Sequence, residues 1–365
     1  MGRTKKATSK LEAVPTSYVQ ESTSNHHLVE GVSTSIALFI GRAKKGPRSA
    51  PVLCSSLADF EREFSLADVG SDLARSLKLF FANGGARCYV LRLGGTRKTP
   101  PKLADYRAAF NLADKEIDLF NLLVLPKDRG HDAGTRAGLW GPASEFCQKR
   151  RAFLLVDPPE AWSTVAEALD PVQGVAALRA GLATENCALY FPQVLVVENG
   201  AQVALGASGL MAGLMARIDT ARGVWKSPAG TEADLRGVAG LALPVSDGEH
   251  GLLNAQGVNA LRVMPQGLRC WGARTLAGAG QGGDYVYVAV KRMALFLEES
   301  LARGLSWTVF EPNDQTLWSQ LALLANAFLE SLFRQGAFVG SARRKPFSPS
   351  AMPRPPRPRT APEAM

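Results

Sequence analysis

The chain has 365 residues, 46% hydrophobic and 21% charged, a composition typical of a globular protein with one large or two ordinary domains. Its net charge of +9 comes from the two ends, because the first ten residues carry four excess positive charges and residues 341–365 carry the other five. The intervening body is formally neutral, which argues against a protein that binds nucleic acid through its folded part.

Three further features narrow the class of protein. No segment approaches the roughly 18 to 20 consecutive apolar residues of a membrane helix. No apolar segment follows the basic N-terminus, so we expect no secretory signal. The five cysteines are odd in number and show no Cys-x-x-Cys spacing, which argues against a disulfide framework or a zinc site and for a reducing compartment.

The first hundred residues predict an α/β unit that follows an isolated strand. Residues 18–24 form a short β-prone segment that stands alone, after residues that have no apolar pattern. The next strand, residues 35–40, is apolar on both faces, as in the centre of a covered sheet. The other predicted elements of this unit are helices at residues 59–64 and 72–81 and a strand at residues 88–93.

The remainder of the chain repeats this alternation of strands and helices. Further strands are predicted at residues 120–125, 153–156, 188–191, 194–197, 260–264, 268–271, 285–290 and 307–310. Further helices are predicted at residues 162–169, 174–182, 208–218, 291–303 and 315–333. The last helix carries one apolar stripe, and Asp314 is placed to cap its N-terminus.

The alternation predicts an α/β fold with mixed sheets flanked by helices. We expect two α/β domains, an extended N-terminal arm and a disordered basic C-terminal tail. The predicted division is 1–16 as a disordered basic N-terminus, 17–31 as the arm, 32–99 as the first part of a core domain, 100–200 as a middle α/β domain, 201–340 as the second part of the core domain, and 341–365 as a Pro/Arg-rich tail.

The motifs that could carry chemistry lack the context that their chemistry needs. Residues 278–283 match a dinucleotide fingerprint, but a strand is predicted after them where a helix is required. Gly206-Ala-Ser208-Gly209 lacks the last glycine of a nucleophile elbow, and we expect Ser208 to cap the helix that it begins. The four histidines show no metal-binding spacing. We therefore predict no catalytic residue, no metal ligand and no cofactor.

Two alternatives of other classes stay open. An α/β enzyme could use Cys88 or Asp157 at a strand end, and it would need a pocket with converging titratable groups, which we do not expect. The proline- and arginine-rich segment at residues 353–359 could bind a proline-reading groove or phosphates, or it could be a solvated tail. Nucleic-acid binding through the tails would be sensitive to salt and lost on removing residues 1–10 and 341–365.

Residues 216–228 read Ala-Arg-Ile-Asp-Thr-Ala-Arg-Gly-Val-Trp-Lys-Ser-Pro. They are similar to the stretch that most specifically marks the tail sheath proteins of contractile phage tails and of related extracellular contractile injection systems. The sequence resembles this family from residue 18 to about residue 340. After Gly340 the sequence departs, because basic and proline-rich residues stand where the family has the strands of a C-terminal arm. The other motifs that carry the resemblance lie, in order, at residues 18–21, 30–47, 81–90, 257–262, 271–275, 296–300 and 310–314.

The resemblance implies a structural subunit and not an enzyme. Such a subunit polymerises around an inner tube and contracts to drive the tube through a target membrane, without a cofactor. Its N-terminal arm would add a strand to a sheet completed by neighbouring subunits, with residues 25–31 as a hinge. The arm residues would be Tyr18, Val19, Gln20 and Glu21.

The resemblance also implies that the last helix lies toward the inner tube, through Trp318, Gln320 and Arg334. The implied partners are other sheath subunits, the inner tube protein, and baseplate and cap proteins, with no nucleic acid and no direct membrane insertion. Assembly is expected in the bacterial cytoplasm, and the final location is a phage tail or a released tail-like particle. Because the C-terminal strands are replaced, a truncated or accessory protein that caps or co-assembles with a full-length sheath is the alternative.

Overall fold

The computed structural model describes residues 27–278 and 283–340. Its centre is an eight-stranded sheet in the order β11-β10-β6-β5-β4-β1-β3-β2, in which only the edge strands β2 and β11 are antiparallel to their neighbours. The strands are β1 (Ala37–Arg42), β2 (Val52–Cys54), β3 (Cys88–Leu93), β4 (Leu122–Val124), β5 (Phe153–Val156), β6 (Cys187–Phe191), β10 (Val258–Met264) and β11 (Gly267–Cys270).

A second, antiparallel sheet of three strands has the order β8-β7-β9. Its strands are β7 (Val194–Glu198), β8 (Ala201–Leu205) and β9 (Gly240–Leu241). The α-helices are α1 (Leu57–Phe64), α2 (Leu73–Ala82), α3 (Leu103–Glu116), α4 (Ala133–Lys149), α5 (Val165–Ala168), α6 (Val175–Arg179), α7 (Ser208–Arg222), α8 (Asp247–Ala255), α9 (Val288–Gly304) and α10 (Gln315–Arg334), with short 3₁₀ helices at Thr184–Asn186 and Ser306–Phe310.

Two apolar clusters cover the two faces of the large sheet. Alternate residues of β1 point to opposite faces, so Phe39 joins one cluster with α2 and α7, whereas Leu38 joins the other with α3 and α4. Every residue of β1 is buried, as the doubly apolar sequence predicted. The mixed α/β architecture that the alternation predicted is therefore confirmed.

The helices α2 and α7 approach each other closely because α7 carries glycine at the contact. A Cβ atom at Gly213 would lie 2.2 Å from the carbonyl oxygen of Phe80, and one at Gly209 would lie 2.6 Å from that of Ser76. Side chains at these two positions would push the helices apart. Glycine at both positions lets the backbones pack directly.

The sequence predicted two strands wrongly. Residues 285–290 were expected to be a strand, but α9 begins at Val288, and Tyr287 makes only an isolated bridge to Arg274. The alternation of β-branched residues in this segment favours a strand. Burial of Val288, Ala289 and Met293 on one helical face outweighs that preference.

The second wrong strand is residues 307–310, which form part of the 3₁₀ helix Ser306–Phe310. This segment contains β-branched and aromatic residues, but Val309 and Phe310 are exposed. No strand among the described residues pairs with it.

The sequence also missed α3, α4 and α8 and the strands β2, β8 and β9. The miss is clearest for α4, which contains Pro142 and three glycines and has no strong apolar periodicity. The large sheet contains strands from residues 32–99, from residues 100–200 and from residues 201–340. The division into domains at these boundaries stays a prediction.

Candidate assembly surfaces and a pocket at the carboxyl edge of the sheet

The segment that leads into β1 is fastened to the end of the molecule that carries α9. The His27 ring stacks on Trp307 with 4.0 Å between ring centroids. The Val32 N–H donates a hydrogen bond of 3.2 Å to Ser300 Oγ. A Cβ atom at Gly31 would lie 2.9 Å from the Phe296 ring. Residues 27–31, which fall in the predicted hinge, therefore pack on α9 and on the 3₁₀ helix Ser306–Phe310, and the hinge itself stays a prediction.

A buried ion pair ties this segment to two helices. Arg292 of α9 binds Asp219 of α7 through two hydrogen bonds of 2.6 and 3.0 Å, and the two side chains are only 3% and 4% exposed. Thr34 completes the network, because its hydroxyl donates to Asp219 at 2.7 Å and its carbonyl accepts from Arg292 at 2.9 Å. Sequence reasoning missed this network, although Asp219, the one carboxylate of α7, was an available signal.

The helix α10 is held mainly by its C-terminal half. Phe328 and Leu332 are its only buried residues, and they pack with Val224 and Met293 in a small cluster that Val29 also contacts. Asp314 caps the helix as predicted, since its carboxylate accepts a 2.8 Å hydrogen bond from the Leu317 N–H. We call residues 27–34 together with α9, the 3₁₀ helix Ser306–Phe310 and α10 the arm-root unit.

The three residues predicted to face the inner tube are exposed but do not share one face of α10. Successive helical residues are rotated by about 100°, so Gln320 and Arg334 lie within about 40° of each other, whereas Trp318 is about 160° from Arg334. Leu323, which is 70% exposed, lies about 20° from Arg334 and about 60° from Gln320. Gln320, Leu323 and Arg334 therefore form the outward face, and Trp318 instead hydrogen-bonds to Asn313 at 2.7 Å.

The predicted arm residues Tyr18, Val19, Gln20 and Glu21 lie outside the described residues. The same is true of residues 341–365, the predicted tail. Their roles in strand exchange and in the tail stay predictions.

A pocket of about 570 Å³ lies at the carboxyl ends of β4 and β5. This finding contradicts the expectation that no pocket would gather titratable groups, because Lys127, Asp128, Arg136, Asp157 and Glu160 all line it. Parallel sheets leave a crevice at this edge, where the chain leaves each strand. Sequence reasoning missed the pocket because α4, which forms one wall, was not predicted. We call this cavity the carboxyl-edge pocket.

Asp157 is committed to structure within this pocket. Its carboxylate accepts hydrogen bonds from the backbone N–H of Ser208 at 2.9 Å and from the Ser208 hydroxyl at 2.8 Å, at the N-terminus of α7. The expectation that Ser208 caps its own helix is therefore wrong, because Ser208 is the first helical residue and Asp157 takes the capping position from another strand. Gly206 is required beside it, since a Cβ atom there would lie 2.3 Å from the Asp157 carboxyl carbon.

The electrostatics of the two candidate catalytic residues differ from what catalysis needs. Burial raises the pKa of the Asp157 carboxyl, against the opposing effects of Arg136 and of the hydrogen bonds from Ser208. Both of its oxygens are already bonded, and Ser208 is 1% exposed. Burial also raises the pKa of the Cys88 thiol well above its usual value, whereas a nucleophilic cysteine needs a lowered pKa.

Two other polar groups at the pocket have partners within the chain. Asp128 forms a buried bidentate ion pair with Arg42 at 2.8 and 2.9 Å, and His131 Nε2 lies 2.7 Å from the carbonyl oxygen of Pro101. In residues 27–278 and 283–340, no cluster of three or more His, Cys, Asp or Glu side chains could hold a metal ion. None of the helices in these two ranges is long and apolar enough to span a membrane.

The fold is that of a contractile sheath protein. The structure superposes on the helical sheath of the anti-feeding prophage in its contracted state with a TM-score of 0.71 and 28% identity, over 91% of this chain and 87% of that one. It superposes on the sheath complex of an extracellular contractile injection system called PVC, also contracted, with a TM-score of 0.70 and 26% identity, over 91% and 85% of the two chains.

Two curated proteins confirm the resemblance seen in the sequence. The tail sheath protein of Burkholderia phage BcepMu is 29% identical over 198 residues, which are 52% of this chain and 41% of that protein. A putative prophage major tail sheath protein of Pseudomonas aeruginosa is 27% identical over 254 residues, 67% of this chain and 59% of that protein. The chain thus spans about half the length of the curated relatives that it matches. No protein-family model matches it.

Proposed function

We propose that this chain is a structural subunit of a contractile, phage-tail-like sheath that polymerises around an inner tube. The observation that carries the proposal is the match over nine tenths of the chain to a contracted sheath subunit, at 28% identity. Contraction would drive the tube through a target membrane without an enzymatic step. Assembly would take place in the bacterial cytoplasm, and the product would be a phage tail or a released tail-like particle.

Neighbouring subunits would be linked by the N-terminal arm. Residues 18–24 would span roughly 23 Å as a strand, enough to reach an adjacent subunit and to pair with its sheet through backbone hydrogen bonds. The packing of residues 27–34 on α9 supports this role, because it gives the arm a firm attachment to its own subunit. The contact is head-to-tail, so it would propagate into a filament instead of closing as a dimer.

Contraction would be a switch between two packings of the same subunits, with the extended one metastable. Burial of ~200 Å² more apolar surface per subunit would release about 5 kcal/mol for each one. Val309, Phe310 and Leu323 are between 70% and 95% exposed and offer apolar surface for such a repacking.

The outward face of α10 would contact the inner tube. Gln320, Leu323 and Arg334 share this exposed face, whereas Phe328 and Leu332 hold the helix to the body. We expect Arg334→Glu to weaken co-sedimentation of the sheath with tubes. The matched control is Arg222→Glu. Arg222 is also exposed and paired with a glutamate, Glu232, but it lies at the end of α7 and not on α10. Equal tube binding by both variants would count against this orientation of α10.

Other sheath subunits, a baseplate and a cap would be the remaining partners. Because basic, proline-rich residues follow Gly340 where sheath proteins have further strands, we expect the pure chain to polymerise poorly and to need a full-length sheath partner. The alternative function, an accessory sheath-like protein that caps or co-assembles with that partner, predicts the chain at sheath ends only.

Electron microscopy of the co-expressed proteins tests the proposal and separates the alternatives. The chain would carry a gold-labelled affinity tag in cells that also make the tube and the full-length sheath. Labels along the whole sheath are the expected result. Labels at the ends alone would favour the accessory role, and unlabelled sheaths would refute both.

A further inference from the structure

The folded body is neutral in sum, but its charge is divided between two parts of the chain. Residues 31–104 contain twelve lysines and arginines and five acidic residues, whereas residues 152–216 contain six acidic residues and one arginine. The first part includes β1, β2 and β3, and the second includes β5 and β6, which lie on the other side of β4 in the large sheet. The sheet is therefore basic at one side and acidic at the other.

The basic side is built from the two loops that follow β1 and β3. Because these strands are parallel, their carboxyl ends meet at one edge of the sheet. The Arg92 guanidinium, near the end of β3, donates to the carbonyl oxygens of Ala43 at 2.9 Å and of Gly46 at 2.8 Å, which holds the first loop beside the second. Arg48 lies over the second loop, since a Cβ atom at Gly94 would be 3.4 Å from its Nη1.

Five exposed cations of these two loops form no ion pair with any described residue. Two acidic residues of the neighbouring α1, Asp59 and Glu63, bind Arg62 instead. The cations also repel one another, since burial and the charge of Arg48 lower the pKa of Arg92. Such an uncompensated cluster attracts an anionic partner. We call its exposed members the basic flank: Lys44, Lys45, Arg48, Arg97 and Lys98.

The acidic side carries three carboxylates whose partners within the described residues are uncharged. Glu167 of α5 and Glu249 of α8 accept hydrogen bonds from the hydroxyls of Ser163 at 2.9 Å and of Ser246 at 2.6 Å. These hydrogen bonds are the main reason why the pKa of both carboxyls is lowered, so both stay ionised. The third carboxylate, Asp170, accepts hydrogen bonds from backbone N–H groups of the turn that it begins.

Two apolar side chains are exposed beside these carboxylates. Val172 follows Asp170 by two residues, Leu252 lies one turn after Glu249 on α8, and they are 75% and 61% exposed. Protein interfaces combine apolar residues with a polar rim in this way. We call this surface the acidic flank: Glu167, Asp170, Val172, Glu249 and Leu252. It excludes the carboxylates that already bind an arginine or lysine, namely Asp157, Glu160 and Asp247.

The two flanks lie far apart on one chain. The helix α8 contacts both α5 and β10, and β10 lies four strands from β1 and five from β3. At about 4.8 Å per strand the separation is roughly 20 Å, about twice the distance over which physiological salt screens charge. The flanks therefore do not neutralise each other within one copy.

We propose that the basic flank of one copy binds the acidic flank of a second copy of this chain. The two surfaces differ, so the contact is head-to-tail and repeats from copy to copy. The inference deepens the proposed function and rests on it in one respect, that copies of this chain assemble with each other. It names a contact between folded bodies that is separate from the N-terminal arm.

Zero-length cross-linking of the purified chain tests this contact. A carbodiimide activates a carboxylate, which then forms an amide with a lysine Nζ that touches it, and the carbodiimide leaves as a urea. In a mixture of isotopically light and heavy chains, we expect amides that join a lysine of one basic flank to a carboxylate of another copy's acidic flank. The yield should fall as salt is raised. Lys115 is the control, an exposed lysine of α3 that should couple rarely.

Charge reversal adds a second readout, with self-association measured by sedimentation velocity at low ionic strength. Lys44→Glu with Lys98→Glu reverses two charges of the basic flank, and Glu167→Lys with Glu249→Lys reverses two of the acidic flank. Each double variant alone should raise the dissociation constant about tenfold, because like charges then face each other. An equal mixture of the two variants should associate as the wild type does, because each reversed flank meets the other.

Two further variants guard the test. Glu167→Gln with Glu249→Gln keeps the hydrogen-bond acceptors at the starts of α5 and α8, and it should still weaken association about threefold. Arg107→Glu with Lys115→Glu, at two exposed positions of α3, is the matched control and should change nothing.

A monomeric wild type, coupling of Lys115 as frequent as that of the basic flank, or a mixture that associates no better than its components would overturn the proposal. Neither measurement uses tubes or sheaths. Failure here would therefore leave the labelled-sheath test of the proposed function standing, and failure of that test would leave this contact standing.

Discussion

The body of the large sheet and the arm-root unit differ in how they are held together. In the body, two extensive clusters of buried side chains cover both faces of eight hydrogen-bonded strands. In the arm-root unit, the third cluster contains four buried residues, and α10 is buried at two positions along twenty. The buried ion pair between Arg292 and Asp219 is one of the contacts between the two regions, and Val288 and Leu295 of α9 also pack into a core cluster of the body.

This difference separates stability from assembly. Elements with few buried apolar contacts open at lower free energy than a large core does. The arm-root unit can therefore repack during a change of subunit contacts while the body stays folded. Substitutions in the body should change the free energy of unfolding, and those in the arm-root unit should change local opening and assembly.

Asp219→Ala should have the largest effect because it breaks the buried ion pair that joins α7 of the body to α9 of the arm-root unit. It leaves Arg292 buried without its partner, and the loss of one member of a buried pair costs about 3–5 kcal/mol. Chemical denaturation gives the free energy of unfolding. The control is Glu330→Ala, which removes an exposed ion pair with Arg334 and should cost under about 0.5 kcal/mol. Equal losses in both variants would contradict the role assigned to the pair.

Gly213→Ala should have the next largest effect on the free energy of unfolding, and it should destabilise the body alone. The added methyl would meet the Phe80 carbonyl at 2.2 Å, and overpacking of this kind costs about 1–3 kcal/mol. Gly248→Ala on α8 is the matched control, since nothing lies within 4 Å of a Cβ atom there, and it should be neutral or stabilising. A fully stable Gly213→Ala variant would show that α2 and α7 are not in direct backbone contact.

Trp307→Ala should affect the arm-root unit and leave the body almost unchanged. Stacking on His27 contributes on the order of 1 kcal/mol, so the free energy of unfolding should fall by about that much or less. Hydrogen exchange of residues 27–34 should accelerate, whereas exchange in β1 and β3 should not. Acceleration spread evenly over both regions would remove the distinction between them.

Asp68→Asn should give the smallest change, and it depends on pH. Partial burial opposes ionisation of Asp68, but hydrogen bonds from Arg129 and from the Gly70 N–H outweigh it and lower the pKa to about 2. A carboxyl whose folded pKa is lowered stabilises the fold above its unfolded pKa, near 3.8, and this contribution is lost as the pH falls toward 2. The exposed pair should be worth under about 1 kcal/mol. Wild type should thus lose slightly more stability than the variant between pH 4 and pH 2.5.

The sequence predicted the strongly patterned elements well. The strands β3 and β5 agree with their predicted ranges because each is a short apolar run between turns. The helix α10 was predicted from its stripe and from the capping Asp314. In contrast, α4 was missed because glycines and Pro142 hide its helical period.

The parts that depend on distant contacts could not be read from local patterns. Arg292 and Asp219 are 73 residues apart, and no local sequence pattern near either residue identifies the other as its partner. The carboxyl-edge pocket is likewise formed by segments that meet only in the folded chain. The wrong strand at residues 285–290 has the same origin, because burial against the body selected a helix over the local β-branched preference.

Deleting Tyr18, Val19, Gln20 and Glu21 tests most directly whether the arm belongs to a neighbour's sheet. The free energy of unfolding and the incorporation into sheaths of a full-length partner would be measured on the same protein. If the arm is a strand donated between subunits, the deletion leaves the monomer as stable as before and abolishes its incorporation. If the deletion destabilises the monomer, or if the shortened protein still enters sheaths normally, the arm is not a strand donated between subunits.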